Sequence, residues 1–187
     1  MLFRSLATAA AWWYGDPSRD LGVVGITGTD GKTTTSFLAL AALEAAGIST
    51  GLIGTVDTKI GPTRAANDVH ATTPEAPTIQ AMLRAMVDGG NRAAVIETTS
   101  HGLAQERVAE VAYDAAILTN LTHEHLEFHR TFEAYLAAKR SLFERLADGP
   151  ANPPKPWLAW PRSAIVNRDD ASAPALDRKS TRLNSSH

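Results

Sequence analysis

The sequence has 187 residues, of which 44% are hydrophobic and 20% are charged, and its formal net charge is −2. This size and composition suit one α/β domain with a substantial core, or a piece of a larger protein. The charge gives no reason to expect a nucleic acid or a membrane surface as a partner, and no apolar run approaches the ~20 residues that span a bilayer. The absence of cysteine excludes disulfides and thiolate metal sites and agrees with a cytoplasmic protein.

Hydrophobic periodicity divides the chain into alternating helices and strands. The predicted helices span residues 2–14, 32–46, 74–88, 102–111 and 131–147. The predicted strands span residues 21–27, 48–56, 93–98, 115–119 and 163–167. Between them, residues 57–71 are predicted to form a hairpin or loop and residues 147–161 an irregular loop. This alternation indicates an α/β fold with a mainly parallel sheet flanked by helices.

Three local features refine this outline. The N-terminal helix is not interpreted as a signal peptide, because Trp12 and Trp13 stand where the small cleavage-site residues would be. The inner face of the second helix is expected to carry Phe37, Leu38, Ala41 and Leu43. Residues 177–187 lack apolar periodicity and are interpreted as a non-native tail, the read-through of a sequencing adapter.

The strongest signal is the run from Gly25 to Thr35, which leaves a predicted strand and enters a predicted helix. Its glycines at 25, 28 and 31 precede Lys32 and Thr33, giving the spacing G-x-x-G-x-x-G-K-T. Backbone N–H groups, a helix N-terminus and a lysine in this context bind a chain of phosphates. The alternative, a glycine-rich turn that feeds a helix, is disfavoured by the lysine and the threonines after it. The run therefore indicates a nucleoside triphosphate site.

Glu97 ends a predicted buried strand, and ligands of open α/β sheets gather at the carboxyl ends of strands. A carboxylate at the same sheet edge as a phosphate loop is well placed to hold Mg²⁺. Taken alone, a glutamate in this position is more often a helix cap or a solvated residue.

The segment after the strand 115–119 contains His123, Glu124, His125, Glu127 and His129. Two histidines in an H-x-H pattern, with no third ligand at fixed spacing, are a weak zinc signal. By themselves these residues favour solvated or hydrogen-bonded side chains. Likewise, Lys139 alone would be a surface lysine, and the run from Thr72 to Glu75 alone would be a helix start.

Five motifs in order extend the interpretation: TGTDGKTTT, TTPE, ETTSHGLAQER, TNLTHEHLEFH and FEAYLAAK. Together they resemble the Mur ligase family, from about Leu6 to Asp170, and most of all its MurE-type branch. The run from Ser100 to Leu103, with Gln105 and Arg107, favours that branch over its sister ligases and over folylpolyglutamate synthase.

The resemblance implies a role for each matching residue. The ATP-binding loop would comprise Gly28, Thr29, Asp30, Gly31, Lys32, Thr33 and Thr34. The UDP-muramoyl dipeptide would be held by Thr72, Thr73, Thr99, Gln105 and Arg107. The Mg²⁺ ligands would be Thr33, Glu97, His125 and Lys139, the last as an N-carbamate, and catalysis would rest on Lys32, Lys139, His125 and Glu97. The departures from the family pattern (Asp30, Thr98, Thr99, His123 and Glu124) are mild.

The activity implied by the resemblance is ATP-dependent amide formation through an acyl phosphate. It would add meso-diaminopimelate or L-lysine to UDP-N-acetylmuramoyl-L-alanyl-D-glutamate, with ATP and Mg²⁺, in a cytoplasmic monomer. Residues 1–20 would be the last helix of an N-terminal domain with a linker, and residues 21–176 part of the central ATP-binding domain. Such a fragment is expected to bind ATP at most weakly and not to turn over. The alternatives are a ligase for another acceptor, of the folylpolyglutamate synthase type, and a non-catalytic nucleotide-binding module.

Overall fold

The computed structural model describes residues 2–68, 71–122, 126–146 and 153–170. Six α-helices lie in these ranges: α1 (Leu2–Trp13), α2 (Lys32–Ala45), α3 (Ala76–Asp88), α4 (Ser100–Ala104), α5 (Leu126–His129) and α6 (Phe132–Glu144). The described strands are β1 (Gly22–Thr27), β2 (Thr50–Ile53), β3 (Asp57–Ile60), β4 (Thr63–Ala66), β5 (Ala93–Glu97), β6 (Ala115–Leu118) and β7 (Ser163–Val166). No helix among the described residues is long and apolar enough to cross a membrane.

The strands form one sheet in the order β4-β3-β2-β5-β1-β6-β7. The five strands from β2 to β7 in this order pair in parallel, and β3 and β4 add an antiparallel hairpin at one edge. Every residue of β1 and of β5 is buried, as expected for central strands with both faces covered. The predicted α/β fold with a mainly parallel sheet is confirmed, and the part of the segment 57–71 that spans residues 57–66 forms a hairpin.

Two apolar clusters lie on opposite faces of the sheet. The larger packs residues of α3, α4 and α6, such as Leu83, Leu103 and Leu142, against the sheet, and the smaller packs Leu40 of α2 against Ile26. Helix α1 lies against α3 through small residues, with Ala7 and Ala76 in one buried cluster.

Several sequence predictions need correction. The strand predicted over 48–56 is only Thr50–Ile53, because the chain turns at Gly54, whose N–H donates to Asp57 O at 3.2 Å. The helix predicted over 102–111 is Ser100–Ala104, because Glu106 adopts a left-handed φ of 55° that ends it.

The predicted inner face of α2 is also partly wrong. Leu38 is 65% exposed and Ala41 is exposed, whereas Ser36 and Leu40 are the buried residues of this helix. By contrast, the predicted N-cap of α6 is confirmed, since the Thr131 hydroxyl accepts a hydrogen bond from Ala134 N.

Candidate active site

A cleft of about 610 Å³ lies at the carboxyl ends of the parallel strands. Parallel strands bring the loops that follow them to one edge, so residues distant in sequence meet there. The lining residues are Gly28, Thr29, Asp30, Gly31, Lys32, Thr33, Thr34, Thr55, Ala71, Thr72, Thr73, Thr99, Ser100, His101, Arg107 and Lys139. The cleft thus brings together the predicted phosphate loop, most of the predicted substrate residues and the predicted carbamate lysine.

The loop before α2 has a backbone that depends on glycine. Gly28 has φ 150° and Gly31 has φ 77°, both in the region that side chains disfavour. A Cβ at Gly28 would also collide with the Thr119 hydroxyl, which follows β6. The loop is therefore shaped both by its own glycines and by the neighbouring segment.

Residues after β6 brace this loop. Asn120 accepts hydrogen bonds from Thr29 N through its carbonyl and from Asp30 N through its side chain, both at 2.9 Å. Thr119 Oγ1 donates to Asp30 O at 2.6 Å. Gly31 caps α2 without a side-chain hydrogen bond. The first N–H groups of a helix lack intrahelical partners, so this end of α2 offers donors and a positive dipole to an anion.

Two lysines converge on the loop. Lys32 Nζ donates to Gly28 O at 3.1 Å and to Thr29 O at 2.6 Å. Lys139 Nζ, from α6, donates to the same Gly28 O at 2.6 Å. Lys139 is only 1% exposed, so the interpretation as a surface lysine does not hold. The Lys32 ammonium at this loop suits the binding of a polyphosphate.

Glu97 lies at the end of β5, directly beneath the cleft, and is 1% exposed. Its Oε2 accepts hydrogen bonds from Thr33 Oγ1 at 3.1 Å and from Thr55 Oγ1 at 2.8 Å. Its Oε1 accepts from Thr55 N at 3.1 Å. All three donors are neutral, and among the described residues no lysine or arginine forms an ion pair with this carboxylate.

This donor set fits Mg²⁺. A buried carboxylate held only by neutral donors has an uncompensated charge, and buried charges in proteins are paired or bind metal ions. The Glu97 carboxylate and the Thr33 hydroxyl are oxygen ligands, the type that Mg²⁺ takes together with phosphate oxygens. Within the described ranges, no three side chains of the types His, Asp and Glu cluster as a complete metal site.

The predicted substrate residues are arranged around Thr73. Its hydroxyl donates to Glu97 O at 2.9 Å and accepts from Thr99 N at 2.9 Å, which ties the segment before α3 to the end of β5. Arg107 donates to Thr73 O at 2.8 Å and pairs with Glu75 at 2.7 Å.

Four of the five predicted substrate residues line the cleft: Thr72, Thr73, Thr99 and Arg107. Gln105, half-buried at the end of α4, does not line it.

The predicted ligand His125 lies outside the described residues, as do His123 and Glu124. His129 is described: it is buried, and its ring lies 5.4 Å from that of Tyr135 in α6.

The residues that the sequence analysis missed include Thr55 and Tyr135. Thr55 was hidden inside a strand predicted to continue to residue 56, although its true position, just after β2, follows the strand-end rule that singled out Glu97. Tyr135 precedes Lys139 by one helical turn. Its hydroxyl lies 2.9 Å from Thr29 Oγ1, and its ring faces the Lys139 ammonium at 4.5 Å.

The parallel sheet, the glycine-rich loop between β1 and α2 and the strand-end carboxylate define an α/β domain of the phosphate-loop class. The sequence profile of the Mur ligase middle domain matches residues 26–187, and the chain belongs to the Mur ligase family. The resemblance inferred from the five motifs is thereby confirmed.

Curated relatives and solved structures agree with this membership. The chain is 51% identical over 168 residues to a UDP-N-acetylmuramyl-tripeptide synthetase of Roseiflexus sp., covering 89% of this chain and 33% of the relative. It is 41% identical over 167 residues to a UDP-N-acetylmuramoyl-L-alanyl-D-glutamate–2,6-diaminopimelate ligase of Geobacter sulfurreducens, covering 89% and 31%. A solved structure of a ligase with the latter name has a TM-score of 0.72 at 27% identity, covering 92% of this chain and 33% of that one.

A folylpolyglutamate synthase of Mycobacterium tuberculosis, solved with ADP and AMPPCP, has a TM-score of 0.65 at 14% identity, covering 95% of this chain and 45% of that one. This likeness concerns the fold alone. The chain spans about a third of the length of the curated relatives described above.

Proposed function

We propose that this chain is the ATP-binding part of a MurE-type ligase, which joins a diamino acid to UDP-N-acetylmuramoyl-L-alanyl-D-glutamate. The observation that carries the proposal is that the phosphate loop and Lys139 line one cleft, and that Thr33 of this loop donates a hydrogen bond to the Glu97 carboxylate. The names of the relatives at 51% and 41% identity supply the substrate class.

In the proposed reaction, the D-glutamyl carboxylate attacks the γ-phosphorus of ATP, forming an acyl phosphate and releasing ADP. The amine of the diamino acid then attacks the acyl carbon, phosphate leaves, and an amide bond is formed. Lys32 and the N–H groups at the start of α2 would hold the phosphates in line with the attacking carboxylate. Thr72, Thr73, Thr99 and Arg107, which line the cleft, would orient the dipeptide, and the Arg107 guanidinium supplies a cation for its carboxylates. For Gln105, which does not line the cleft, the substrate role stays a prediction.

Bound Mg²⁺ would neutralise charge on the transferring phosphoryl group. Thr33, Glu97, His125 and Lys139 are proposed to hold it. For Lys139 this requires reaction of the neutral Nζ amine with CO₂, which forms an N–C bond and releases a proton. The product is a carbamate, a carboxylate-like ligand in the place of an amine.

The domain division also remains a proposal: residues 1–20 end an N-terminal domain, and residues 21–176 belong to the central domain. The surface of α1 supports the assignment of residues 1–20 to another domain. Four large apolar side chains of this helix are more than half exposed: Leu2 (82%), Phe3 (53%), Trp12 (77%) and Trp13 (75%). A concentration of large apolar side chains on one helix is typical of a surface that another part of a protein covers. A cytoplasmic monomer, the non-native tail, and the absence of nucleic-acid and membrane partners stay predictions.

The first test is calorimetric titration of the chain with ATP in excess MgCl₂. We expect weak binding, and we expect Lys32→Met to weaken it about tenfold or more, as for loss of a charge-assisted hydrogen bond. Arg168→Met, an exposed change outside the cleft, is the control and should bind like the wild type. Absence of binding in the wild type would contradict the nucleotide site.

The acceptor is tested in a full-length ligase that contains this sequence. ADP release should require UDP-N-acetylmuramoyl-L-alanyl-D-glutamate together with meso-diaminopimelate or L-lysine. Stimulation by a folate and glutamate instead would support the folylpolyglutamate synthase alternative. ATP binding with no acceptor-dependent ADP release would favour a non-catalytic module.

A further inference from the structure

Thr55 contacts both the proposed metal ligand Glu97 and the proposed substrate residue Thr72. It follows β2, two residues after Ile53, and uses both its backbone and its side chain on Glu97. Its N–H donates to Oε1 at 3.1 Å and its hydroxyl to Oε2 at 2.8 Å, so one residue engages both carboxylate oxygens. Such a two-point contact fixes the rotation of the carboxylate about its terminal bond.

The same hydroxyl donates to the Thr72 hydroxyl at 3.0 Å. A hydroxyl has one proton to donate, and an ionised carboxylate can only accept. The Thr55 hydroxyl is the donor to both Glu97 Oε2 and Thr72 Oγ1, so its single proton is shared between the carboxylate and the Thr72 hydroxyl. Thr55 therefore bridges Glu97 and Thr72 through one hydroxyl.

The backbone on both sides supports this bridge. A Cβ at Gly54 would lie 2.8 Å from Glu97 Oε1, so glycine at this position permits the close approach of the carboxylate. Asn67 Nδ2 donates to Gly54 O at 2.8 Å and to Ala71 O at 3.1 Å, which fastens the turn after β2 to the residue before Thr72. These contacts hold Thr55 and Thr72 side by side.

We propose that Thr55 is a positioning residue that sets the Glu97 carboxylate for Mg²⁺ and couples it to the substrate residue Thr72. This inference rests on the proposed function, in which Glu97 is a metal ligand and Thr72 contacts the dipeptide. Thr33 shares Glu97 Oε2 with Thr55, so the orientation set by Thr55 also faces the phosphate loop. Without the Thr55 hydroxyl, the carboxylate loses one of its three donors and its alignment toward the loop.

The test measures how strongly ATP binding depends on Mg²⁺, as the ratio of the ATP dissociation constants in EDTA and in excess MgCl₂. Thr55→Val removes the hydroxyl while keeping the shape, and we expect it to lower this ratio about tenfold. Binding in EDTA should not change, because in the described part of the chain the hydrogen bonds of Thr55 go to Glu97, Thr72 and Asn67 and not to the phosphate loop. Thr55→Ser keeps the hydroxyl and should restore most of the ratio.

Thr63→Val, the same change on the exposed strand β4, is the matched control and should leave the ratio at the wild-type value. Thr55 itself is exposed, so the substitutions should leave the thermal midpoint close to that of the wild type. An unchanged ratio in Thr55→Val overturns the inference alone. A wild-type protein whose ATP binding does not respond to Mg²⁺ overturns the proposed metal site, and the inference with it.

Discussion

Lys139 shows how much a single residue depends on its surroundings. Its ammonium is buried between the Tyr135 ring and Gly28 O, on the inner side of a helix whose next residue, Arg140, is half-exposed and pairs with Glu144. Burial of a lysine is rare without partners or a chemical role. The burial and the contact with the phosphate loop support the proposed role of this side chain in the site.

Lys139→Ala is expected to abolish most of the ligase activity, because the proposed metal ligand is lost. Short carboxylic acids such as formate or acetate should restore part of the activity, because they supply a carboxylate in the space that is vacated. The measurement is phosphate release by a full-length ligase that contains this sequence, with and without the added acid.

Arg140→Ala is the control for this experiment, since it removes a cation from the same helix without touching the cleft. Its activity should be close to that of the wild type and should not respond to the acids. Full activity in Lys139→Ala would show that the carbamate assignment is wrong.

At the scale of elements, the irregular segment 153–162 is held by one buried ion pair. Lys155 Nζ donates to Asp114 Oδ2 at 2.6 Å, to Leu21 O at 2.8 Å and to Ala112 O at 2.7 Å. Burial lowers the pKa of the Lys155 ammonium, and the adjacent Asp114 carboxylate opposes this shift without cancelling it. Trp160 also holds the segment against the sheet. Its ring packs on Gly22, where an added Cβ would lie 2.7 Å from Trp160 Cζ3. The segment thereby leads the chain into β7 beside β6.

Lys155→Met should lower the free energy of unfolding by about 3–5 kcal/mol, because it leaves the buried Asp114 carboxylate without its cation. Urea unfolding followed by tryptophan fluorescence gives this value, and Trp160 reports on the same segment. Arg168→Met, an exposed change after β7, should unfold like the wild type. A loss below about 1 kcal/mol, the range of surface ion pairs, would show that the pair does not anchor the segment.

At the scale of the whole molecule, Tyr113 lies in the larger core and connects the sheet to α6. It is fully buried, and its ring stands against Gly25 of β1, where a Cβ would lie 2.6 Å from Cε1. Its hydroxyl lies 3.2 Å from Thr98 Oγ1. Burial raises the pKa of Tyr113 from 10.0 to about 12, since the phenolate would be poorly solvated in the core.

This shift makes the stability of the fold sensitive to alkaline pH. The folded pKa lies above the unfolded value, so the folded state retains a proton that the unfolded state releases. The contribution is fully present below pH 10 and is lost as the pH rises toward about 12. We expect Tyr113→Phe to reduce the loss of unfolding free energy over this interval by about 2–3 kcal/mol relative to the wild type.

Chemical denaturation at a series of pH values measures this difference. Tyr14→Phe, at the half-buried end of the first helix, is the matched control and should follow the wild-type profile. If the unfolding free energies of Tyr113→Phe and the wild type fell equally between pH 10 and 12, Tyr113 would not be the source of the alkaline loss of stability.

The sequence by itself determined the α/β class, the phosphate loop and the strand-end carboxylate, because each depends on residues that are neighbours in the chain. Glycine spacing, the start of α2 and the N-cap at Thr131 are local properties of this kind. Local periodicity failed at Glu106, where a left-handed residue ends α4, and at Leu38, which faces solvent because the sheet beneath α2 contacts a different side of the helix.

Only the tertiary structure decided which residues lie together in the site and which of them form hydrogen bonds with one another. Glu97 meets Thr33 and Thr55 across 64 and 42 residues of chain, and Lys139 meets Gly28 across 111. Gln105 lies outside the cleft because of where the chain turns after α4. Thr55 lies beside Thr72 because of where the chain turns after β2. Such contacts depend on strand order and on the packing of helices against the sheet, because these bring distant parts of the chain to one edge.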